Sequence, residues 1–335
     1  MRINPDSPDN TLHNTLCRLA AGEIGSSCFA EPLARHSSWK IGGPADLFVE
    51  PESVEQIAEL IRFVREQKIP LVVIGEGSNL LFDDSGVRGV VMKIGHKMSK
   101  IEVSGDIIRA QAGAWVPGLA RKAMQAGLGG LEHCIGIPGT LGGLVLMNGG
   151  SHRKGIGENI VQVSVVDREG DLRHLSREQC EFSYRRSALQ NSGSIVVGAE
   201  LCCPVKERPQ IRAEMLADLC ERRGKFPRKL PNCGSVFLST AEMHQTFGPP
   251  GKIIEEAGLK GLRIGAAEVS QQHANFIINC GGATSADVLR VIAKIRQIVS
   301  EKIGFDLCCE VRYVSPQGEI LPAHLKADEL GLSGK

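Results

Sequence analysis

The spacing of apolar and polar positions predicts short helices and strands that alternate through the first two hundred residues. Ser53 and Gln56 have the spacing of a capping box, and apolar positions after them recur at helical intervals, which predicts a helix over about 53–67. The wholly apolar run 71–74 predicts a buried strand. Further strands are predicted within 100–113, 160–166 and 194–202, and a further helix over about 117–125.

The second half of the chain predicts fewer and longer elements. A helix is predicted over about 210–223, and Thr284 with Asp287 caps another whose apolar positions share one face. Strands are predicted over 273–279 and 308–314. These patterns divide the chain into an N-terminal extension without strong periodicity, a mixed α+β domain, a smaller α+β domain and a polar tail, with bounds at 1–30, 31–207, 208–318 and 319–335.

Composition then narrows the kind of molecule. The 335 residues carry 39 Lys and Arg against 38 Asp and Glu, so no overall field favours nucleic acid or an anionic membrane surface. The first 21 residues lack the apolar core of a signal peptide or membrane span, and we expect no membrane insertion. The eleven cysteines contain no C-x-x-C spacing and the histidines no H-E-x-x-H, so we expect a metal-free protein of the reducing cytoplasm.

Two glycine-rich loops carry the candidate chemistry. The run 136–143 exposes backbone N–H groups and is stiffened by Pro138, which suits an anion cradle, although a tight buried turn would have the same composition. The run 75–79 follows a strand but lacks the third glycine of a Rossmann turn, and another strand follows it. We therefore reject a Rossmann turn and predict a phosphate-binding loop formed by its amides with Ser78 and Asn79.

A basic run at 222–229 is the densest in the sequence and follows a predicted helix. Its cations would complement the C-terminal end of the helix dipole in a solvated helix terminus. On the residues alone we favour the solvated helix terminus, and a phosphate partner for these cations is the alternative.

Seven short motifs occur in the order found in one family of flavoproteins. Over about residues 33 to 320 the chain resembles the UDP-N-acetylenolpyruvoylglucosamine reductases, which act in peptidoglycan precursor synthesis. The motifs lie at 41–46, 75–81, 136–143, 184–185, 234–237, 273–276 and 310–312.

The resemblance implies an α+β protein with an FAD-binding domain of the vanillyl-alcohol-oxidase (PCMH) type and a smaller substrate-binding domain. It implies bound FAD, with NADPH as co-substrate. It further implies reduction of UDP-N-acetylglucosamine-enolpyruvate to UDP-N-acetylmuramate, in which hydride reaches the terminal vinyl carbon and the adjacent carbon is protonated.

The same resemblance implies three catalytic residues. Arg185 would grip the substrate carboxylate, Glu310 would help to polarise it, and Ser235 would protonate the developing carbanion. A bare carboxylate beside the substrate carboxylate would repel it, so we expect Glu310 to be protonated or tied to a cation.

The matched motifs also imply the binding residues. The two glycine-rich loops would converge on one FAD through Gly75, Glu76, Gly77, Ser78, Asn79, Gly136, Ile137, Pro138, Gly139, Thr140, Gly142 and Gly143. The substrate would contact Tyr184 and His273. Lys260 and Arg223 lie outside the matched motifs and are candidate contacts to its diphosphate. For His273 a packed, hydrogen-bonded histidine is the alternative.

Two departures from the family pattern affect these expectations. Leu238-Ser239-Thr240 stands where many members have Lys-Asn-Pro, which removes a cation and an amide expected near the nucleotide. The only tyrosines, Tyr184 and Tyr313, belong to other motifs, so the chain resembles the shorter branch without a tyrosine-bearing lid loop.

We expect a monomer that binds a sugar nucleotide. The alternatives are another FAD oxidoreductase of this fold, acting on a hydroxy acid or sugar alcohol, and a non-catalytic nucleotide-binding module.

Overall fold

A computed structural model describes residues 8–330, with side chains from Thr11 onward. Its helices are α1 Pro8–Ala20, α2 Val54–Glu66, α3 Val116–Ala126, α4 Leu141–Leu146, α5 Arg208–Lys225, α6 Ala241–Thr246, α7 Pro250–Glu256, α8 Ser285–Ile303 and α9 Ala323–Glu329. Its strands are β1 Ser26–Pro32, β2 Pro44–Glu50, β3 Leu71–Ile74, β4 Leu80–Phe82, β5 Val87–Lys93, β6 Ile101–Ser104, β7 Ile107–Gln111, β8 Ile160–Val166, β9 Leu172–Ser176, β10 Ile195–Cys202, β11 Arg263–Ile264, β12 Ala267–Val269, β13 Ile277–Asn279, β14 Arg312–Val314 and β15 Ile320–Pro322.

The chain forms two compact units, each assembled from separate segments. The first unit comprises the described residues up to Ala30 together with Asp46–Glu76 and Gly89–Glu221. The second unit comprises Glu31–Ala45, Gly77–Arg88 and the described residues from Arg222 onward. The boundary between Glu76 and Gly77 therefore falls inside the glycine-rich loop 75–79.

An antiparallel sheet of order β6-β7-β10-β8-β9 dominates the first unit, and a second sheet has the order β1-β2-β5-β3. The central strand β10 pairs with β7 and β8, which aligns Ala199 with Ala110 on one side and Val163 on the other. Helix α2 begins at the Ser53 cap, whose hydroxyl accepts the amide of Gln56. Its apolar stripe is buried in the core of this unit at Ile57, Leu60, Ile61 and Val64.

The second unit has its own core, in which Trp39, Phe237 and Tyr313 are fully buried. Its sheets have the orders β15-β14-β4 and β11-β12-β13. The short strand β4 pairs in parallel with β14, a pairing that places the end of the loop 75–79 beside residue 310. Helix α8 begins at the predicted Thr284–Asp287 capping box and ends at Gly304, whose φ of 67° suits glycine.

The structure confirms the α+β class and most of the predicted elements, and it also contains elements that the patterns missed. Helix α1 and most of strand β1 lie within the supposed N-terminal extension, and Leu16 and Leu19 of α1 are buried. Strand β15 and helix α9 occupy the supposed polar tail, where His324 is buried and accepts the amide of Cys309. The strands predicted over 273–279 and 308–314 shorten to β13 and β14 because only three residues of each make ladder pairs.

None of the helices in residues 8–330 is long and apolar enough to cross a membrane. No disulfide bond forms among the described residues, and burial raises the pKa of Cys180 to about 11.

Candidate active site

The glycine-rich run 136–143 is anchored to the first unit by backbone hydrogen bonds. The amides of Leu141 and Gly142 donate to the carbonyls of Ala114 (2.9 Å) and Ala112 (2.8 Å), and Gly139 accepts the amide of Val116 at 3.0 Å. Two of the amides that composition suggested for ligand binding are therefore already used within the protein. The loop is both a tight turn and a candidate cradle.

Three other amides of this loop remain able to donate hydrogen bonds to a bound anion. Within residues 8–330 the N–H groups of Gly139, Thr140 and Gly143 donate to no protein acceptor. Gly143 is exposed, and a Cβ placed there would meet only the Thr140 hydroxyl, at 3.9 Å. An uncovered backbone beside unused donors fits a phosphate-bearing cofactor.

The two glycine-rich loops touch each other within the first unit. A Cβ on Gly75 would lie 2.3 Å from Oγ1 of Thr140, so only glycine permits this approach. Glu76 is exposed, and its carboxylate lies 3.7 Å from Nζ of Lys93. The first part of the loop 75–79 and the run 136–143 thus meet at one place.

The rest of that loop belongs to the second unit and has structural contacts of its own. Gly77 has φ 58°, and a Cβ there would lie 2.0 Å from the carbonyl oxygen of His36. Ser78 is half-buried beside it. Asn79 donates its side-chain amide to the carbonyl of Glu310 (3.2 Å), and its own carbonyl accepts the amide of Arg312 (3.0 Å). The residue predicted to bind FAD therefore also positions a predicted catalytic residue.

The segments that carry Ser235 and Glu310 are paired in the second unit. The amide of Glu310 donates to the carbonyl of Val236 at 2.8 Å, and Phe237 pairs with Cys309. Ser235 and Glu310, both half-buried, therefore lie at neighbouring positions although 75 residues of chain separate them. The structure brings these two predicted catalytic residues together.

A cation accompanies Glu310. Burial lowers the pKa of the Arg312 guanidinium, whereas the charge of Glu310 acts in the opposite direction and raises it. The charges of these two side chains interact, and the expectation that Glu310 is tied to a cation stays a prediction.

Asn275 supports the serine segment, a role that sequence reasoning missed. Its Oδ1 accepts the amide of Phe237 (2.9 Å), its Nδ2 donates to the Phe237 carbonyl (3.0 Å), and its own carbonyl accepts the amide of Val236 (2.9 Å). The side chain is buried. The sequence signal for this supporting role is an asparagine at an apolar position inside the 273–276 motif.

His273 is packed among aromatic rings in the second unit. Its ring centroid lies 5.3 Å from that of Phe226 and 5.0 Å from that of Phe276, and its Nδ1 accepts the amide of Asn275 at 3.2 Å. Burial, with the nearby positive charge of Lys225, lowers its pKa to about 4. These contacts support the packed alternative, and the substrate role of His273 stays a prediction.

The predicted diphosphate ligands have ordinary surface environments. Lys260 lies 2.6 Å from the carboxylate of Glu255, and Arg223 is exposed in the last turn of α5. Two neighbouring cations of that run pack on Phe226, with the Arg222 guanidinium carbon 5.0 Å and the Lys225 Nζ 5.9 Å from the ring centroid. A diphosphate role for Lys260 and Arg223 stays a prediction.

Arg185 and Tyr184 occupy the tip of a tight turn in the first unit. Ser183 and Arg186 exchange two backbone hydrogen bonds of 3.0 Å, and Arg185 has φ 56°. Its Nη2 donates to the carbonyl of Gly150 at 3.1 Å, and its guanidinium carbon lies 5.7 Å from the exposed ring of Tyr184. The turn therefore holds the arginine side chain against the loop after α4.

A cavity of about 410 Å³ opens beside this turn. Its lining has four cationic side chains, at Arg153, Lys154, Arg177 and Arg185, and one carboxylate, at Glu158. Four of its lining residues adopt left-handed backbone conformations that side chains disfavour, namely Asn148, His152, Arg153 and Arg185. Such strain gathers at functional sites because the surrounding structure must hold it in place.

Comparisons with known proteins identify the family of this chain. The sequence model of an FAD binding domain matches residues 45–176, and that of the UDP-N-acetylenolpyruvoylglucosamine reductase C-terminal domain matches residues 226–314. The fold and the paired glycine-rich loops therefore define an FAD-binding oxidoreductase. The chain belongs to the UDP-N-acetylenolpyruvoylglucosamine reductase family.

Individual relatives give the same result. UDP-N-acetylenolpyruvoylglucosamine reductase 1 of Corynebacterium glutamicum is 49% identical over 297 residues, which cover 89% of each chain. The reductase of Heliobacterium modesticaldum is 46% identical over 86% of this chain and 90% of its own. The crystal structure of the Thermus caldophilus enzyme matches 86% of this chain and 98% of its own, with a TM-score of 0.73 and 30% identity.

Proposed function

We infer that this protein is an FAD enzyme that uses NADPH to reduce UDP-N-acetylglucosamine-enolpyruvate to UDP-N-acetylmuramate. The observation that carries the inference is the pairing of the Ser235 and Glu310 segments, held by the 2.8 Å hydrogen bond from Glu310 to Val236. Relatives that are 38–49% identical bear the name of this reductase. An oxidase for a hydroxy acid or sugar alcohol would have no use for this serine and glutamate in these motifs.

The two glycine-rich loops are the proposed FAD site. Gly75 and Thr140 are in contact, and the amides of Gly139, Thr140 and Gly143 offer donors for the phosphates of the cofactor. Bound FAD would supply hydride transfer, first from NADPH and then to the vinyl carbon of the substrate.

The chain's own side chains are proposed to manage charge and the proton. Hydride addition to an enol ether builds negative charge that extends onto the attached carboxylate. Arg185 would bind that carboxylate through the fork of its guanidinium, and Glu310, with Arg312 nearby, would polarise it. The Ser235 hydroxyl would then protonate the carbon next to the carboxylate. A serine is a weak acid, which suits only a strongly basic centre such as this one.

We propose that the enzyme works in the cytoplasm, because its chemistry consumes NADPH and a sugar nucleotide. We further propose that it is a monomer. Light scattering of the purified protein tests the second part, since a particle of twice the 36.0 kDa chain mass would contradict it.

Oxidation of NADPH that depends on the enolpyruvyl sugar nucleotide tests the proposed function. We expect turnover with UDP-N-acetylglucosamine-enolpyruvate and none with UDP-N-acetylglucosamine or simple 2-hydroxy acids. Turnover with a hydroxy acid but not with the enolpyruvyl ether would instead support the alternative oxidoreductase. Running the same assay with NADH measures the nucleotide preference.

A further inference from the structure

A buried carboxylate lies behind the loop that accepts the Arg185 hydrogen bond. Asp218 of α5 has a side chain only 7% exposed, and its Oδ1 lies 2.9 Å from Nε2 of His152. Its other oxygen, Oδ2, has no hydrogen-bond partner among the described residues. A buried carboxylate is costly unless a partner compensates it, so the contact with His152 is the principal stabilising interaction of this group.

His152 in turn belongs to a strained stretch of backbone. It has φ 53° and Arg153 has φ 63°, left-handed conformations that residues with a side chain disfavour. The preceding residue is held from another side, because the hydroxyl of Ser151 donates to the carbonyl of His133 at 2.6 Å. Asp218 and His133 therefore fix the loop at two consecutive residues.

The fixed loop ends at the acceptor of Arg185. Gly150 directly precedes Ser151, and its carbonyl oxygen lies 3.1 Å from Nη2 of Arg185. A Cβ on Gly150 would lie 1.8 Å from the carbonyl oxygen of Lys154, so the loop is closed tightly on itself. Because the loop has no room to rearrange, a shift of His152 would displace the Gly150 carbonyl.

We propose that Asp218 and His152 form a positioning pair that orients the Arg185 guanidinium through the loop 150–153. Neither residue belongs to the motifs that assigned the catalytic and binding roles. The proposal rests on the proposed function, because it takes Arg185 to be the ligand of the substrate carboxylate. It specifies that the pair acts on the half-reaction in which the substrate is reduced and not on reduction of the flavin by NADPH.

Separate measurement of the two half-reactions tests the pair. Asp218→Ala and His152→Ala should each slow reoxidation of the reduced flavin by the enolpyruvyl nucleotide about 10- to 100-fold, the scale expected when a binding group is displaced by roughly 1 Å. Reduction by NADPH and flavin content should stay at parent levels. His152→Gln keeps an N–H that can reach Asp218, so it should recover most of the rate. His174→Ala, which removes an exposed histidine bonded to Ser164, is the matched control.

A double-mutant cycle decides whether the effect passes through Arg185. In an Arg185→Ala background, Asp218→Ala should have no further effect on reoxidation, since coupled residues are not additive. Full additivity, or equal slowing of both half-reactions, would overturn the proposal. Should Asp218→Ala fail to fold, the His152 variants carry the test, because that side chain is 48% exposed.

Hydrogen exchange gives a readout that does not depend on activity. The amides of residues 151–154 should exchange faster in His152→Ala than in the parent or in His174→Ala. Unchanged exchange would overturn the proposal even where rates had fallen. Failure of the proposed function would appear differently, since the parent protein itself would then not reoxidise with the enolpyruvyl nucleotide.

Discussion

Ser235 illustrates how much of the chemistry depends on a single hydroxyl. The serine lies on a segment whose next residue accepts the Glu310 amide, and the buried Asn275 side chain fixes the residue after that. Such support on both sides places the hydroxyl on rigid backbone. Proton transfer needs this, because the donor must be within hydrogen-bond reach of the carbon it protonates.

Replacement of this hydroxyl should separate the two half-reactions. Ser235→Ala should leave reduction of the flavin by NADPH nearly unchanged and slow its reoxidation by substrate roughly 10²- to 10⁴-fold. Stopped-flow absorbance of the flavin measures both rates. Ser300→Ala, a half-buried serine of α8, is the control and should match the parent. Equal losses in both half-reactions would refute the role of Ser235 as proton donor.

The half-buried His273 predicts a pH dependence of stability. Its pKa is about 4 in the folded protein against 6.5 for an unperturbed histidine, so the unfolded chain binds more protons between these values. The stability associated with this group is therefore present above about pH 6.5 and is lost as the pH falls towards 4. In His273→Gln the melting temperature should fall less steeply over this range than in the parent. As a control, His244→Gln at an exposed histidine should leave the change of melting temperature with pH unaltered. If the melting temperatures of the parent and of His273→Gln fall in parallel as the pH is lowered, the pKa assignment is contradicted.

Residue types and their order could be predicted, whereas contacts between distant residues could not. Arg185, Ser235 and Glu310 were assigned because their neighbours form recognisable motifs. Asn275 and Asp218 were missed because a buried polar side chain is identified by what surrounds it, and the sequence does not state that. His273 shows the same limit, since its aromatic neighbours Phe226 and Phe276 are recruited by folding.

At the level of elements, one close approach joins the two glycine-rich loops. Gly75 lies against Thr140 with no room for a methyl group, and the Thr140 segment pairs with Trp115. The carbonyls of Ala112 and Ala114 anchor the loop 136–143 through backbone hydrogen bonds. The FAD site that we propose depends on keeping these loops together.

Gly75→Ala should therefore release flavin. The added methyl carbon would lie 2.3 Å from the Thr140 hydroxyl, and overpacking of this kind costs about 1–3 kcal/mol, which corresponds to roughly 5- to 150-fold weaker retention. Combining it with Thr140→Ala removes the clashing oxygen and should restore part of the flavin content, measured by visible absorbance. Gly224→Ala, where a Cβ meets nothing within 4 Å, is the matched control. A Gly75→Ala protein as yellow as the parent would argue against a flavin at this contact.

The Asn275 side chain links two further elements and should matter for stability. Asn275→Ala leaves the N–H and carbonyl of the buried Phe237 without their partners, and each unsatisfied group costs about 1–3 kcal/mol. Urea denaturation should therefore show a loss of about 2–6 kcal/mol. Asn191→Ala, at an asparagine of the exposed turn after Leu189, should lose little. A loss below about 1 kcal/mol would mean that water replaces both contacts.

Helices whose first residues are marked by local capping residues were predicted well. The Ser53 cap and the Thr284–Asp287 capping box mark helix starts that depend only on local residues. Strand β15 and helix α9 were missed because their pairing with β14 and packing on α8 provide the stability that their sequences lack. Helix α1 was missed because a few leucines give a weak pattern over a short segment.

At the scale of the molecule, the two units are discontinuous in sequence. The chain leaves the first unit after Ala30 and after Glu76 and returns each time, so no single boundary divides it. Composition changes along a sequence can suggest consecutive domains, but they cannot reveal segments exchanged between units. The predicted bounds at 30, 207 and 318 stay a prediction about domains, and the two units describe how residues pack.

The central claim is that one bound flavin takes hydride from NADPH and gives it to the enolpyruvyl ether. An anaerobic titration tests it most directly. One equivalent of NADPH should bleach the visible flavin absorption, and one equivalent of UDP-N-acetylglucosamine-enolpyruvate should then restore it with formation of UDP-N-acetylmuramate. A flavin that NADPH bleaches but that this substrate fails to reoxidise would contradict the account.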